Sequence, residues 1–214
     1  MLAPGSQHSP DSGDSMAGKK KPAGSRESYN TQRTINVHDP VTAQNPSCDI
    51  RAATCCIDDP AAFLRKIRTI AESFDTHIVC FNTSMLAGQR HARAALHHAV
   101  RSYHDGSMVS NTLEMEALLN AAGSRQCTIA ARFGVHSGEN QMYICCYPVR
   151  DGIWDNLFPL LNFNGEEDAD LIDPQKQAYL MELFGITPEE LATTHGDRIV
   201  DLVLERIALL EVYR

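Results

Sequence analysis

Residues Gln141-Met142-Tyr143-Ile144-Cys145-Cys146-Tyr147-Pro148-Val149 are apolar on both alternating faces. A strand wetted on one side alternates polar with apolar residues, whereas a strand covered on both sides reads as a continuous apolar run. The stretch predicts the central strand of a sheet with helices on each face, closed by Pro148, which has no N–H for a ladder. Two further runs suit its neighbours. Cys48 to Ile57 is rich in Cys, Ile, Ala and Thr, and His77 to Asn82 is a short buried strand. The expected fold class is α/β (α+β): one compact domain over 47–214, with a small mixed or antiparallel sheet flanked by helices.

The segments between these strands carry helix signals. Asp59 is placed to cap a helix with Pro60 at its first position, and Phe63, Leu64, Ile67 and Ile70 follow at helical spacing. A long helix is expected from Met85 to His104, stopped at Asp105-Gly106. Asn111 and Glu114 stand three apart, as in a capping box, ahead of Leu113, Ala117, Leu118 and Ala121, and Gly123 suits the left-handed C-terminal cap. A short helix from Gln126 to Phe133 closes on Gly134. The C-terminal third reads as helices Pro174 to Phe184, Pro188 to Thr194 and Asp197 to Val212. In the last, Ile199, Leu202, Val203, Ile207, Leu209 and Leu210 form a broad apolar face, the most amphipathic stretch of the chain. Residues 1–46, with Lys19-Lys20-Lys21, lack apolar periodicity and are expected to be a disordered tail. Translation could start at Met1 or at Met16.

The 214 residues, 43% hydrophobic and 21% charged, fit one domain with its own core, and no stretch approaches the roughly 18 apolar residues of a membrane span. The N-terminus has no apolar signal region, so the seven cysteines are expected in a reducing cytoplasm. The net charge of -8 argues against a general nucleic-acid coat. That average hides a gradient. Lys/Arg against Asp/Glu is five to five over 1–50, ten to eight over 51–150 and four to fourteen over 151–214, and the middle third holds six of the nine histidines.

No catalytic constellation emerges. Cys55-Cys56 and Cys145-Cys146 are adjacent pairs in strand-like runs, where neighbours point to opposite faces, so they read as buried thiols rather than metal ligands. Nucleophile elbows and phosphate-cradling glycine patterns are missing, and the thirteen glycines sit singly. No cofactor or metal is expected. What stands out is a helix on which Arg90, Arg93, His97, Arg101 and His104 recur every three or four residues, with no acid before Asp105. This stripe reads as an anion-binding face or as a solvated one.

The order of several short motifs is more telling than any of them alone. Ala87-Gly88-x-x-His91 with Ala99 is followed by Asn111-Thr112-Leu113-Glu114-x-Glu116-x-Leu118-Leu119. Ala122-Gly123-x-Arg125-Gln126 with Ala130 and Gly134 comes next, and last Glu205-Arg206-Ile207-Ala208-Leu209-Leu210. The set, over about 48–214, resembles the small kinase-binding subunit of the KEOPS complex, the TPRKB-like family, and looks like an archaeal member. The resemblance implies a non-enzymatic subunit that binds a small atypical protein kinase/ATPase. It also implies recruitment of tRNA through the single-stranded 3′ CCA end, in support of threonylcarbamoyladenosine formation at position 37.

Two residue sets follow from joining the resemblance to the residues. For tRNA they are Arg90, His91, Arg93, His97, Asn111, Arg125 and Gln126, which could meet phosphate, base edges and the 2′-OH. For the kinase they are Val203, Arg206, Ile207 and Leu210 on the last helix, whose acidic neighbours favour a basic partner. The structural alternative is that Asn111, Glu114 and Gly123 only cap helices. Two functional alternatives stand beside it: an interaction module unrelated to RNA, and a small-molecule enzyme using Cys80 or Cys127 beside His77 or His91 in a deep pocket.

Overall fold

The structure is a computed structural model that describes residues 47–163, 169–193 and 199–212. The expected tail 1–46 lies outside the described residues, as do Thr194 and Asp197, where two of the expected helices end and begin. Strands β1 (Asp49–Ile57), β2 (His77–Asn82) and β3 (Gly138–Tyr147) form one antiparallel sheet in the order β1-β3-β2. The stretch around Tyr143 is its central strand, as its two-sided apolar character requires. Tyr143 and Cys145 enter the core on one face of the sheet, and Met142, Ile144 and Cys146 enter the core on the other.

Helices α1 (Pro60–Ser73) and α5 (Ile153–Leu157) cover the second face through Ile67, Ala71, Ile153 and Leu157. Asp59 caps α1, its carboxylate accepting from the amides of Ala61 (2.9 Å) and Ala62 (3.1 Å). Helices α2 (Gly88–His104) and α3 (Leu113–Ala121) cover the first face through Ala92, Leu96, Ala99, Leu113 and Ala117. α4 (Cys127–Ala130) is a single turn running into the 3₁₀ turn Ala131–Phe133, so the expected helix from Gln126 to Phe133 changes pitch midway. A third core gathers Leu180 of α6 (Pro174–Phe184) with Ile199, Leu202 and Val203 of α8 (Ile199–Val212), beside the short α7 (Pro188–Ala192).

Three local expectations change. α2 begins at Gly88 rather than Met85, because Thr83–Met85 form a separate 3₁₀ turn and Gly88 adopts φ +79°. The cap of α3 is Thr112, whose hydroxyl accepts from the Met115 amide at 3.2 Å. Asn111 does not cap it, and Glu114 turns instead to His77. α8 is apolar around much of its circumference, so α1 and α2 are the more two-faced helices.

Candidate partner-binding surfaces

The stripe on α2 is only partly a free cationic face. Arg90 pairs with Asp201 of α8 at 3.0 Å, and Arg93 donates to the Cys48 sulfur at 3.4 Å. Burial, then the neighbouring Arg93, His98 and Arg101, hold His97 below the usual histidine range, so its ring is mostly neutral at pH 7. His104 meets the Tyr147 hydroxyl at 2.9 Å.

His91 is a core residue and presents nothing to a ligand. It is fully enclosed, with Nδ1 accepting from the Ala87 amide at 3.2 Å and Nε2 donating to the Ala121 carbonyl at 3.0 Å. Burial pushes it down to about 4, which leaves the neutral ring that this arrangement needs. The helix start it supports is completed from far along the chain. Asp170 accepts from the Gln89 amide (2.6 Å) and the Tyr143 hydroxyl (2.5 Å). A Cβ on Gly88 would lie 2.9 Å from that carboxylate. Ala87-Gly88-x-x-His91 is thus a structural motif joining α2 to α3 and to the chain at Asp170.

Asn111, Arg125 and Gln126 are exposed, but they are not brought together. Asn111 precedes α3 and Arg125 follows it, and nine helical residues separate its ends by about 14 Å. Glu116 is buried and holds the approach to α3, accepting from the Val109 and Ser110 amides at 3.0 and 2.9 Å. After α3, Gly123 turns the chain at φ +55° beneath α8, where an added Cβ would touch Ile207 at 3.7 Å. Arg125 and Leu210 line the same small crevice. One tRNA candidate is therefore adjacent to one kinase candidate.

On α8, Val203 and Ile207 are fully buried, which removes them from any docking surface. Arg206 is half-buried, donating to the Glu190 carboxylate at 2.6 Å and to the Phe184 carbonyl at 3.4 Å. Leu210 is half-buried. The outward side of the helix is instead Asp201, Glu205, Ala208 and Leu209, with Leu209 42% exposed. Helical periodicity showed the apolar residues but not which of them the neighbouring α6 would claim.

A cleft of about 530 Å³ runs along β2 between α1 and the start of α3. His77 and Cys80 both line it, with Tyr103, Asn111 and Glu114 toward one end. Burial pushes the Glu114 carboxyl up, but hydrogen bonds from His77 (Nδ1 to Oε1, 2.9 Å), its own backbone and Thr112 hold it below the usual carboxylate range. The Cys80 thiol is buried, and burial drives its pKa far up, so no thiolate forms. His77 and Cys80 also project from opposite faces of one strand. Cys127 and His91 are not part of the cleft. The sequence held no signal for this cleft, since it depends on how α1 and α3 are spaced.

Among the described residues no His/Cys/Asp/Glu cluster suits a metal ion, and no helix is long and apolar enough to cross a membrane. The buried polar side chains described above hold elements together, while arginines, amides and a leucine-bearing helix face turn outward. These elements make a small α+β domain. The model of the family described as kinase binding protein CGI-121 matches residues 57–211, and the chain belongs to that family. No curated protein matches the chain. The family is one of kinase-binding proteins, which accords with a non-catalytic role.

Proposed function

We propose that this chain is the kinase-docking subunit of a KEOPS-type complex, of archaeal type and working in the cytoplasm. In this reading it holds the small atypical kinase/ATPase and helps present tRNA, by its 3′ CCA end, for threonylcarbamoyladenosine formation. The domain that does so is 47–214, with 1–46 as an accessory tail. The family match over 57–211 is the observation that carries the reading.

The kinase contact is assigned to the outward side of α8, Ala208 and Leu209 flanked by Asp201 and Glu205, with Leu210 and Arg206 at its margin. An apolar centre ringed by acids suits a partner with a basic rim. The tRNA contact is assigned to exposed Arg93 and to the Arg125-Gln126 turn, with Arg90, His97 and Asn111 on the flanks. Arginines meet phosphate, while amides can read base edges and 2′-OH groups.

The test is calorimetric titration of the purified chain with the kinase/ATPase subunit, and filter binding of intact and CCA-trimmed tRNA at two salt concentrations. Binding of the kinase, and salt-sensitive tRNA binding lost on trimming, support the reading. A folded chain that binds neither overturns it.

A further inference from the structure

The two edges of the sheet are finished differently. On β1, Thr54 exchanges backbone hydrogen bonds with Asn162 at 2.7 and 2.9 Å, and the Gln89 side-chain amide donates to the Ile50 carbonyl at 3.2 Å. The chain therefore covers part of that edge itself, at Thr54 and Ile50, which protects against unwanted pairing. These bonds also set the parity of the whole sheet. Because the backbone of Thr54 faces away from β3, its neighbour Ala53 faces β3, opposite Met142. Tyr143 and Cys145 must then face β2, opposite Phe81 and Val79. Ile78 and Cys80 are left with their N–H and C=O groups on the open side.

Among the described residues nothing accepts or donates at those four groups. They lie on the floor of the 530 Å³ cleft, where Ile78 is 3% and Cys80 6% exposed. They face a space wide enough for another chain to reach them. The walls are mainly apolar, Leu64, Ile67 and Ala71 from α1 and Leu113, Met115 and Leu118 from α3, with Arg68 and Glu72 of α1 and Glu114 of α3 also on the lining. Leu64 and Tyr103 stand at its lining with 45% and 46% of their surface exposed.

We infer that the β2 edge accepts an extended peptide segment of a partner protein as a fourth strand, held between α1 and α3. Two donor and acceptor pairs, two residues apart on the strand and so about 6.7 Å from one another, form a linear repeat that another strand matches. A compact small molecule does not reproduce that spacing. Because both walls are mainly apolar, the segment is of the β3 kind, with apolar side chains on both alternating faces over four or five residues. This goes beyond the kinase and tRNA reading and uses none of the residues assigned to either contact except Asn111, which lines the cleft.

The test uses the full chain and a panel of fluorescein-labelled octapeptides, each with Val, Ile, Leu or Phe at four central positions and Lys at the ends, read by fluorescence anisotropy. At least one is expected to bind saturably and to slow hydrogen exchange at the Ile78 and Cys80 amides. N-methylation of one alternate pair of its central residues is expected to weaken binding about tenfold, and of the other pair less than about twofold, because only one set of N–H groups faces β2. Leu64→Lys, at an exposed position, is expected to weaken binding with an unchanged circular dichroism spectrum. No binding across the panel overturns the inference, as does equal loss for both methylated pairs, which would mean an apolar groove without strand pairing. A concentration-dependent dimer that protects the same two amides would assign the edge to a second copy and equally overturn it.

Discussion

His91 carries two hydrogen bonds that hold the start of α2 against the end of α3, and both need a neutral ring. The unfolded chain takes up a proton at this side chain near pH 6.5, whereas the folded chain resists protonation down to about 4. Its contribution is therefore complete above pH 6.5 and is lost as the pH falls from there toward 4, by about 3 kcal/mol in all. Urea unfolding at pH 7.5 and 4.5 should show that loss in the native chain and a smaller one in His91→Gln. His91→Ala should cost about 2–4 kcal/mol at pH 7.5, since it opens a cavity and strands two backbone groups. Gly88 is the second sensitive residue. Gly88→Ala would need φ +79° and would displace the Asp170 carboxylate from the Gln89 amide and the Tyr143 hydroxyl. A loss of about 2–4 kcal/mol in chemical denaturation is expected from the left-handed backbone and the broken charged hydrogen bond.

Among elements, α8 divides its apolar residues between two duties. Val203 and Ile207 close a core, while Ala208 and Leu209 turn outward. Leu209→Glu is expected to leave the melting temperature within about 2 °C of the native chain and to weaken kinase binding at least tenfold, a loss of about 1.4 kcal/mol. Ile207→Ala should do the reverse in character, lowering stability by about 2–5 kcal/mol whatever the partner. Thermal unfolding and calorimetric titration of the two variants separate the duties. At α1, Asp59→Ala removes both cap hydrogen bonds and should cost about 1 kcal/mol in denaturant unfolding.

At the scale of the whole molecule, charge and partner surfaces run in parallel. The middle of the chain is slightly basic and carries the exposed arginines, and 151–214 carries four basic against fourteen acidic residues. The substitution Arg93→Glu should weaken tRNA binding and flatten its salt dependence while kinase binding stays within about twofold, because phosphate contacts release counterions. Filter binding between 50 and 200 mM salt checks this by order of magnitude. Residues 1–46 lack apolar periodicity, and their removal is expected to leave the denaturant midpoint unchanged.

The sequence by itself determined the sheet, most of the helices and the family resemblance. The apolar run at Tyr143 marks a central strand because period-two burial on both faces leaves no polar positions. Asp59-Pro60 and Gly123 mark helix ends because caps and left-handed turns are local chemistry. What a side chain faces is set by elements far away in sequence, and there the local signals ran out. His91 read as a tRNA ligand until α3 enclosed it, and Glu114 read as a cap until β2 placed His77 beside it. Val203 and Ile207 read as a docking face until α6 and the α3 turn covered them. The open edge of β2 is tertiary in the same sense. Which strand lies at the side of the sheet, and whether anything pairs with it, follows from strand order and helix spacing, and no residue type records either.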